Sequence, residues 1–221
     1  MILSSEVRVV IFDLDGVLWR SESAHALAYR QVLEPLGIAG FDYGAWAGRR
    51  TDEVFANLLV ANGLKADRDR VAELTATKRD KAHRLLCDKP PLVNDCARVL
   101  QALARRYKLA LASSASAKNV HLFLEASGTH GLFSVVLSGE DVAVAKPAPD
   151  IYLTALGHLG LEACEAIVVE DAVSGIRAAR RAGIAVVALV GTCTREELAR
   201  EDAFAIVESI GQLVDGNMSD C

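Results

Sequence analysis

Asp13 and Asp15 end the run Val-Arg-Val-Val-Ile-Phe-Asp-Leu-Asp-Gly-Val-Leu, residues 7–18. Two carboxylates this close repel one another unless a divalent cation, a shared proton or a nearby lysine offsets them, and any of these makes the pair a chemical site. They also read as plain turn formers at a strand end. Three later points carry related chemistry. Ser113, followed by Ser114, precedes a helical stretch, where a hydroxyl and backbone N–H groups either hold a phosphate oxygen or cap the helix. Lys146 sits in Ala-Lys-Pro-Ala-Pro-Asp, whose prolines restrict the backbone around it, although an isolated lysine is usually a solvated side chain. Glu170 and Asp171 form a second acidic pair, with Gly175 opening the next turn. Phosphoryl transfer needs an anionic nucleophile, a cation, donors for the phosphate oxygens and a proton donor for the leaving alcohol. Asp13, Mg²⁺ on Asp171, Ser113 with Lys146, and Asp15 supply that set.

Strands must bring these groups together. Val7, Val9, Val10, Ile11 and Phe12 read as a strand buried on both faces of a parallel sheet. Strand signals then stop until about residue 107, and helices are predicted instead. His25, Ala28, Tyr29, Val32 and Leu36 share one helical face, with Ser21 or Ser23 as cap and Gly37 as stop. A second helix starts at Thr51 and runs to Asn62-Gly63, and a third spans about Asp67 to Cys87, with Val71, Leu74, Lys78, Ala82 and Leu85 on one stripe. From Leu92, strands near 107–112, 134–137, 166–169 and 185–190 alternate with helices, and a last pair of elements follows Thr194. The expectation is an α/β fold: a Rossmann-like doubly wound parallel sheet core (1–19 and 91–221) carrying a small all-helical domain (20–90) on two linkers. Each strand ends in a polar residue, along one sheet edge.

The 221 residues, 52% of them hydrophobic, with a mean hydropathy of +0.24, are ample for a packed core. Cys87, Cys96, Cys164, Cys193 and Cys221 are scattered and lack Cys-x-x-Cys spacing, so neither a disulfide framework nor a zinc site is indicated. They read as reduced thiols of a cytoplasmic protein. No signal segment or membrane span is recognisable, and a net charge of -5 with interspersed signs argues against nucleic acid as a partner.

Asp-x-Asp-Gly-Val after a strand, a strand-end Ser, a Lys and a final acidic pair, in this order, resemble the four signatures of the haloacid dehalogenase superfamily, over nearly the whole chain. The resemblance implies that Asp13 forms an aspartyl-phosphate. It implies that Asp13, the backbone carbonyl of Asp15, Asp171 and Glu170 bind Mg²⁺, and that Ser113, Ser114 and Lys146 bind phosphate. Asp15 is expected to protonate the leaving oxygen and then activate water, which requires a pKa near the working pH. Asp15 also argues against the dehalogenase branch, because a halide leaves without a proton.

The helical insertion resembles the cap of the subfamily that includes phosphoglycolate phosphatase and β-phosphoglucomutase. Within it Lys78 either contacts substrate phosphate or covers apolar surface while its amine reaches water. His25 is either a hinge histidine or a packed helix residue, and Arg49 and Arg50 are candidates for a second anionic group. Trp19-Arg20-Ser21 replaces the family's usual Val-Asp-Ser. The expected activity is Mg²⁺-dependent hydrolysis of a small phosphorylated metabolite, a sugar phosphate or phosphoglycolate, by a monomer or weak dimer with no nucleic-acid or membrane partner. A hexose-phosphate mutase is the alternative enzyme, and a receiver-like phosphate-binding module is the alternative without catalysis.

Overall fold

The computed structural model describes residues 6–215, so Cys221 lies outside the described residues. β1 (Val9–Phe12) is buried along its whole length, as a central strand of four apolar residues should be. It begins at Val9 rather than Val7. β2 (Lys108–Ala112), β3 (Phe133–Leu137), β4 (Ala166–Glu170), β5 (Ala185–Leu189) and β6 (Ala205–Val207) join it in one six-stranded sheet of order β3-β2-β1-β4-β5-β6. Every pairing is parallel. β6, with three residues, is too short to show a periodic signal in the sequence.

Between β1 and β2 come α1 (Glu22–Leu33), α2 (Thr51–Ala61) and α3 (Arg68–Asp88). His25, Ala28, Tyr29 and Val32 are buried on α1 as the spacing predicts. Leu36 instead falls in a 3-10 turn, Glu34–Leu36, that follows Leu33, and it is only half-buried. On α3 the buried residues are Thr75, Lys78, Ala82 and Leu86, a stripe rotated from the expected one. Leu86 joins Trp19 in the cluster under the sheet and Leu85 is half-buried, while Val71 and Leu74 pack at the edge of the cluster inside the insertion. Tyr29, Val32, Val54 and Phe55 form a separate cluster inside this helical insertion. Its two connections run side by side, with Arg20 N–H donating to Pro91 O (2.8 Å) and Val93 N–H to Leu18 O (3.1 Å).

α4 (Cys96–Ala104), α5 (Ala117–Ser127), α6 (Asp150–Leu159), α7 (Val173–Arg181), α8 (Arg195–Ala199) and α9 (Gln212–Asp215) complete the chain. Alternate residues of each strand face opposite layers. Val10, Phe12, Leu109 and Leu111 pack on Val99 of α4 and Phe123 of α5. Val9, Ile11, Ala110 and Val168 pack on Ile151 of α6 and Ile176 of α7. The chain winds outward from β1 through β2 to β3 and, on the other side, from β4 through β5 to β6. The crevice where those directions diverge, at the carboxyl ends of β1 and β4, is where open α/β sheets place their ligands.

Candidate active site

Asp13 leaves the end of β1 into this crevice, its N–H held by Val169 O at 3.0 Å. Lys146 reaches it from the loop between β3 and α6, with Nζ 2.5 Å from Asp13 Oδ1, 2.9 Å from Glu170 Oε1 and 3.1 Å from Ala112 O. Those contacts use all three ammonium donors. Lys146 is only 1% exposed, and although burial favours its neutral form, Asp13 and Glu170 raise its pKa well above the usual lysine value. It is therefore a fixed charge, not a solvated one. Binding a phosphate oxygen would require it to exchange one of these partners.

Glu170 is equally committed. Its Oε1 accepts from Lys146 and from the Tyr152 hydroxyl at 3.2 Å, and its Oε2 accepts the N–H groups of Asp171 and Ala172, both at 2.9 Å. A Cβ on Gly175 would come within 1.6 Å of Glu170 Oε1, so only glycine lets α7 begin against this carboxylate. Gly16, at φ +85°, plays the same part for Asp171, whose Oδ2 would lie 1.8 Å from an added Cβ.

Asp13, Glu170 and Asp171 are all buried and offer oxygens within 4.8 Å of one another. Burial pushes Asp13 up to about 7, with Glu170 and Asp15 adding to the rise and Lys146 opposing it. Burial and the neighbouring Glu170 hold Asp171 well above the usual carboxylate range. Three buried carboxylates facing one ammonium leave negative charge uncompensated, and a hard divalent cation with oxygen ligands fits that deficit.

Asp15 has a different environment. Ser21 Oγ–H donates to its Oδ1, and His25 Nε2 stands 3.2 Å from the same oxygen. Ser21 and His25 are one helical turn apart, so both face Asp15. Lys78 Nζ lies 3.0 Å from His25 Nδ1 and 4.2 Å from the centre of the Tyr29 ring. A charged Lys78 donates to Nδ1, which places the imidazole proton on Nε2, toward Asp15. Burial alone would raise the pKa of Asp15, yet His25, the Ser21 hydroxyl and Lys78 outweigh it and the net shift is downward. The expectation of a pKa near the working pH does not hold for this state. His25 is lowered by burial and by Lys78, with Asp15 opposing. Burial brings Lys78 down to about 7 against the pull of Asp15. The residue is 5% exposed and its amine lies against His25 and the Tyr29 ring rather than on the outer surface.

Asp13, Asp15, His25, Lys78 and Asp171 line one cleft between the sheet edge and the helical insertion. Ser114 lines it too, while its Oγ–H donates to Gly48 O at 2.8 Å. Ser113 is turned inward, its Oγ accepting from Ala115 N–H at 3.0 Å. Arg49 reaches the cleft with its guanidinium 5.5 Å from the Trp46 ring. Arg50 does not line it: a bidentate pair with Asp52 and bonds to the carbonyls of Val142 and Ala143 occupy it. Sequence reasoning missed Tyr43, Arg79 and Asn119, which also line the cleft, and Tyr152, which holds Glu170. No motif marks them. Ser21 carried a signal, its spacing of four from His25, but read as a helix cap; in the structure its side chain makes no cap bond.

Residues 7–183 match the haloacid dehalogenase-like hydrolase family. A validoxylamine A 7'-phosphate phosphatase of Streptomyces hygroscopicus subsp. limoneus is 32% identical over 200 residues, 88% of this chain and 91% of that protein. The fructose-1-phosphate phosphatase YqaB of Escherichia coli is 30% identical over 181 residues, 79% of this chain and 92% of its own. The crystal structure of a CbbY variant from Rhodobacter sphaeroides with xylulose-1,5-bisphosphate superposes with a TM-score of 0.81 at 28% identity, covering 94% of this chain and 96% of that one.

Proposed function

Because the chain belongs to the haloacid dehalogenase-like hydrolases, we propose that it is a phosphatase acting on a small phosphorylated sugar through an aspartyl-phosphate on Asp13. The observation that carries this reading is the contrast between two carboxylates two residues apart. Asp13 is held by the Lys146 ammonium, whereas Asp15 is held by a hydroxyl and an imidazole. Groups in such different surroundings suit different tasks.

In the proposed reaction an Asp13 oxygen attacks phosphorus as the bond to the leaving alcohol breaks, and Asp15 gives that alcohol its proton. Asp15 then takes a proton from the water that attacks the phosphorylated Asp13, and the carboxylate is released with inorganic phosphate. The lowered pKa of Asp15 suits the second half of the cycle. A phosphate dianion arriving beside it raises that pKa again, because a like charge disfavours ionisation, and so prepares the first half. Asp13, Asp171 and the Asp15 backbone carbonyl would hold Mg²⁺, with Glu170 fixing Lys146 beside them. When bound, the ion offsets the repulsion between the nucleophile and the phosphate oxygens. Ser114, which lines the cleft, and the N–H groups of the loop before α5 would bind those oxygens.

Residues 20–90 act in this reading as a cap that excludes water and selects the sugar. The validoxylamine phosphate and fructose-1-phosphate phosphatases among the relatives support a sugar phosphate. The test is phosphate release from a panel of sugar phosphates and phosphoglycolate with Mg²⁺, beside Asp13→Asn and an assay for isomerised product. Release that the variant lacks supports the proposal. Bisphosphate-stimulated isomerisation with little release would replace it with a mutase, and phosphate binding without either activity would end the catalytic reading.

A further inference from the structure

Away from the carboxylates, α3 and α5 bring together a thiol, an imidazole and an amide that the proposed phosphatase reaction does not use. Cys87 is exposed on the last turn of α3, and its Sγ lies 3.4 Å from Nε2 of His83, one turn earlier. The other ring nitrogen of His83, Nδ1, is 2.9 Å from Oδ1 of Asn119 on α5. Asn119 is buried, at 5% exposure, with its amide oxygen turned to the ring. An amide oxygen accepts only, so Nδ1 carries the proton and Nε2 presents its lone pair to the thiol. A nucleophile, a base within reach of it and a third group that orients the base are the parts of an activated nucleophile.

We propose that Cys87 is a thiol–disulfide exchange site, with His83 as its proton acceptor and Asn119 as the positioning residue, and that its ligands are low-molecular-weight disulfides. The Cys87 S–H proton passes to His83 Nε2. The thiolate attacks one sulfur of the disulfide, a Cys87–sulfur bond forms as the S–S bond of the reagent breaks, and the departing thiolate takes the proton back from the imidazolium. Cys87 is oxidised and one half of the reagent is reduced to a thiol, with no further reactant. The His83–Asn119 bond spans from the helical insertion to the sheet domain, so the site is complete only when the insertion is seated.

Cys164 is the internal control, since it is exposed on the surface and, among the described residues, no histidine hydrogen-bonds to it. The full chain is exposed to glutathione disulfide at neutral pH, quenched at intervals and digested, and adducts are counted at each cysteine by mass spectrometry. Cys87 is expected to react at least about tenfold faster than Cys164, a conservative fraction of what a positioned general base contributes. His83→Gln is expected to bring Cys87 down to the rate of Cys164 while the Cys164 rate stays unchanged and the buried Cys96 and Cys193 stay unreactive, which shows that the fold has survived. Asn119→Ala is expected to lower the Cys87 rate in the same way by freeing the imidazole. Equal rates at the two cysteines of the native protein, or a Cys87 rate that His83→Gln leaves unchanged, would overturn the proposal.

Discussion

Replacing Lys146 by methionine keeps much of the side-chain volume and removes the one cation among Asp13, Glu170 and Asp171. The side chains of Lys146, Asp13 and Glu170 are 1%, 7% and 1% exposed, so water cannot take over the lost donors. Breaking a buried pair this way costs about 3–5 kcal/mol, because the surviving charges stay buried without a partner. For a chain of this length that corresponds to a fall in Tm of roughly 6–20 °C. Glu170→Gln in the same background removes one of the stranded negative charges. Formally the native cluster holds three carboxylates and one ammonium, a charge of -2; Lys146→Met brings it to -3, and the double variant returns it to -2. The double variant is thus expected to be more stable than the sum of the single effects predicts, by about 1–3 kcal/mol of coupling. Urea unfolding of the four proteins in chelator measures this without interference from bound cation. A Lys146→Met loss under about 1 kcal/mol, or strict additivity, would refute the reasoning that this lysine is a buried counter-charge.

Three further outcomes follow from the same contacts. Asp13 sits at about 7 in the folded chain against 3.8 as its ordinary value, and Asp171 is shifted the same way. Between those values the folded state binds more protons than the unfolded one, so in chelator stability should fall as pH rises from about 4 to 7; Mg²⁺ should flatten the slope, and a rising slope in chelator would contradict the assignment. His25→Ala removes the donor that, with Ser21 and Lys78, outweighs burial at Asp15, so the limb of the kcat/KM pH profile that reports Asp15 should move to higher pH; superimposable profiles would count against the contact. Gly175→Ala should displace Glu170 and cost both stability and activity, whereas Gly157→Ala, in α6 with nothing within 4 Å of an added Cβ, should stabilise by about 0.5–1 kcal/mol, as thermal melts of the two variants will show.

The parallel core was legible because β1, β4 and β5 are short apolar runs with punctuated ends, and alternation with amphipathic helices leaves little choice of topology. The carboxylates were legible for the same reason: each follows a strand that can only end at the ligand edge. Side-chain commitments were not. Nothing local in Ala-Lys-Pro-Ala-Pro-Asp says that Lys146 spends its donors on Asp13, Ala112 and Glu170, since those partners lie 133, 34 and 24 residues away. On α3, Leu86 shares the cluster under the sheet with Trp19, a partner that the periodicity of the helix does not name. Arg49 and Arg50 are alike in sequence, and a pair with Asp52 together with the carbonyls of Val142 and Ala143, far along the chain, separates one from the other.

The cleft around Asp13 and Asp15 has a free volume of about 40 Å³, room for one or two waters. Pockets that take small molecules are closer to 300 Å³ or more. In the proposed function a sugar phosphate would therefore enter after the helical insertion lifts. The contacts that seat it over the sheet edge include Ser114 to Gly48 O, Ser174 to Ala47 O, Arg79 to Glu140 and Arg50 to Ala143 O. Such bonds, exposed or half-buried, contribute about 0.5–1.5 kcal/mol each, and water replaces them when they open. Lifting the insertion thus costs a few kcal/mol, within what a substrate recovers by differential contact with the closed state. The connections themselves are tied to each other through Arg20 and Pro91 and through Leu18 and Val93, so the motion is concentrated where the two chains leave the sheet together. Asp15 and His25 flank that point. In the proposed cycle, opening would separate His25 and Lys78 from Asp15, and closure would restore the contacts that lower its pKa.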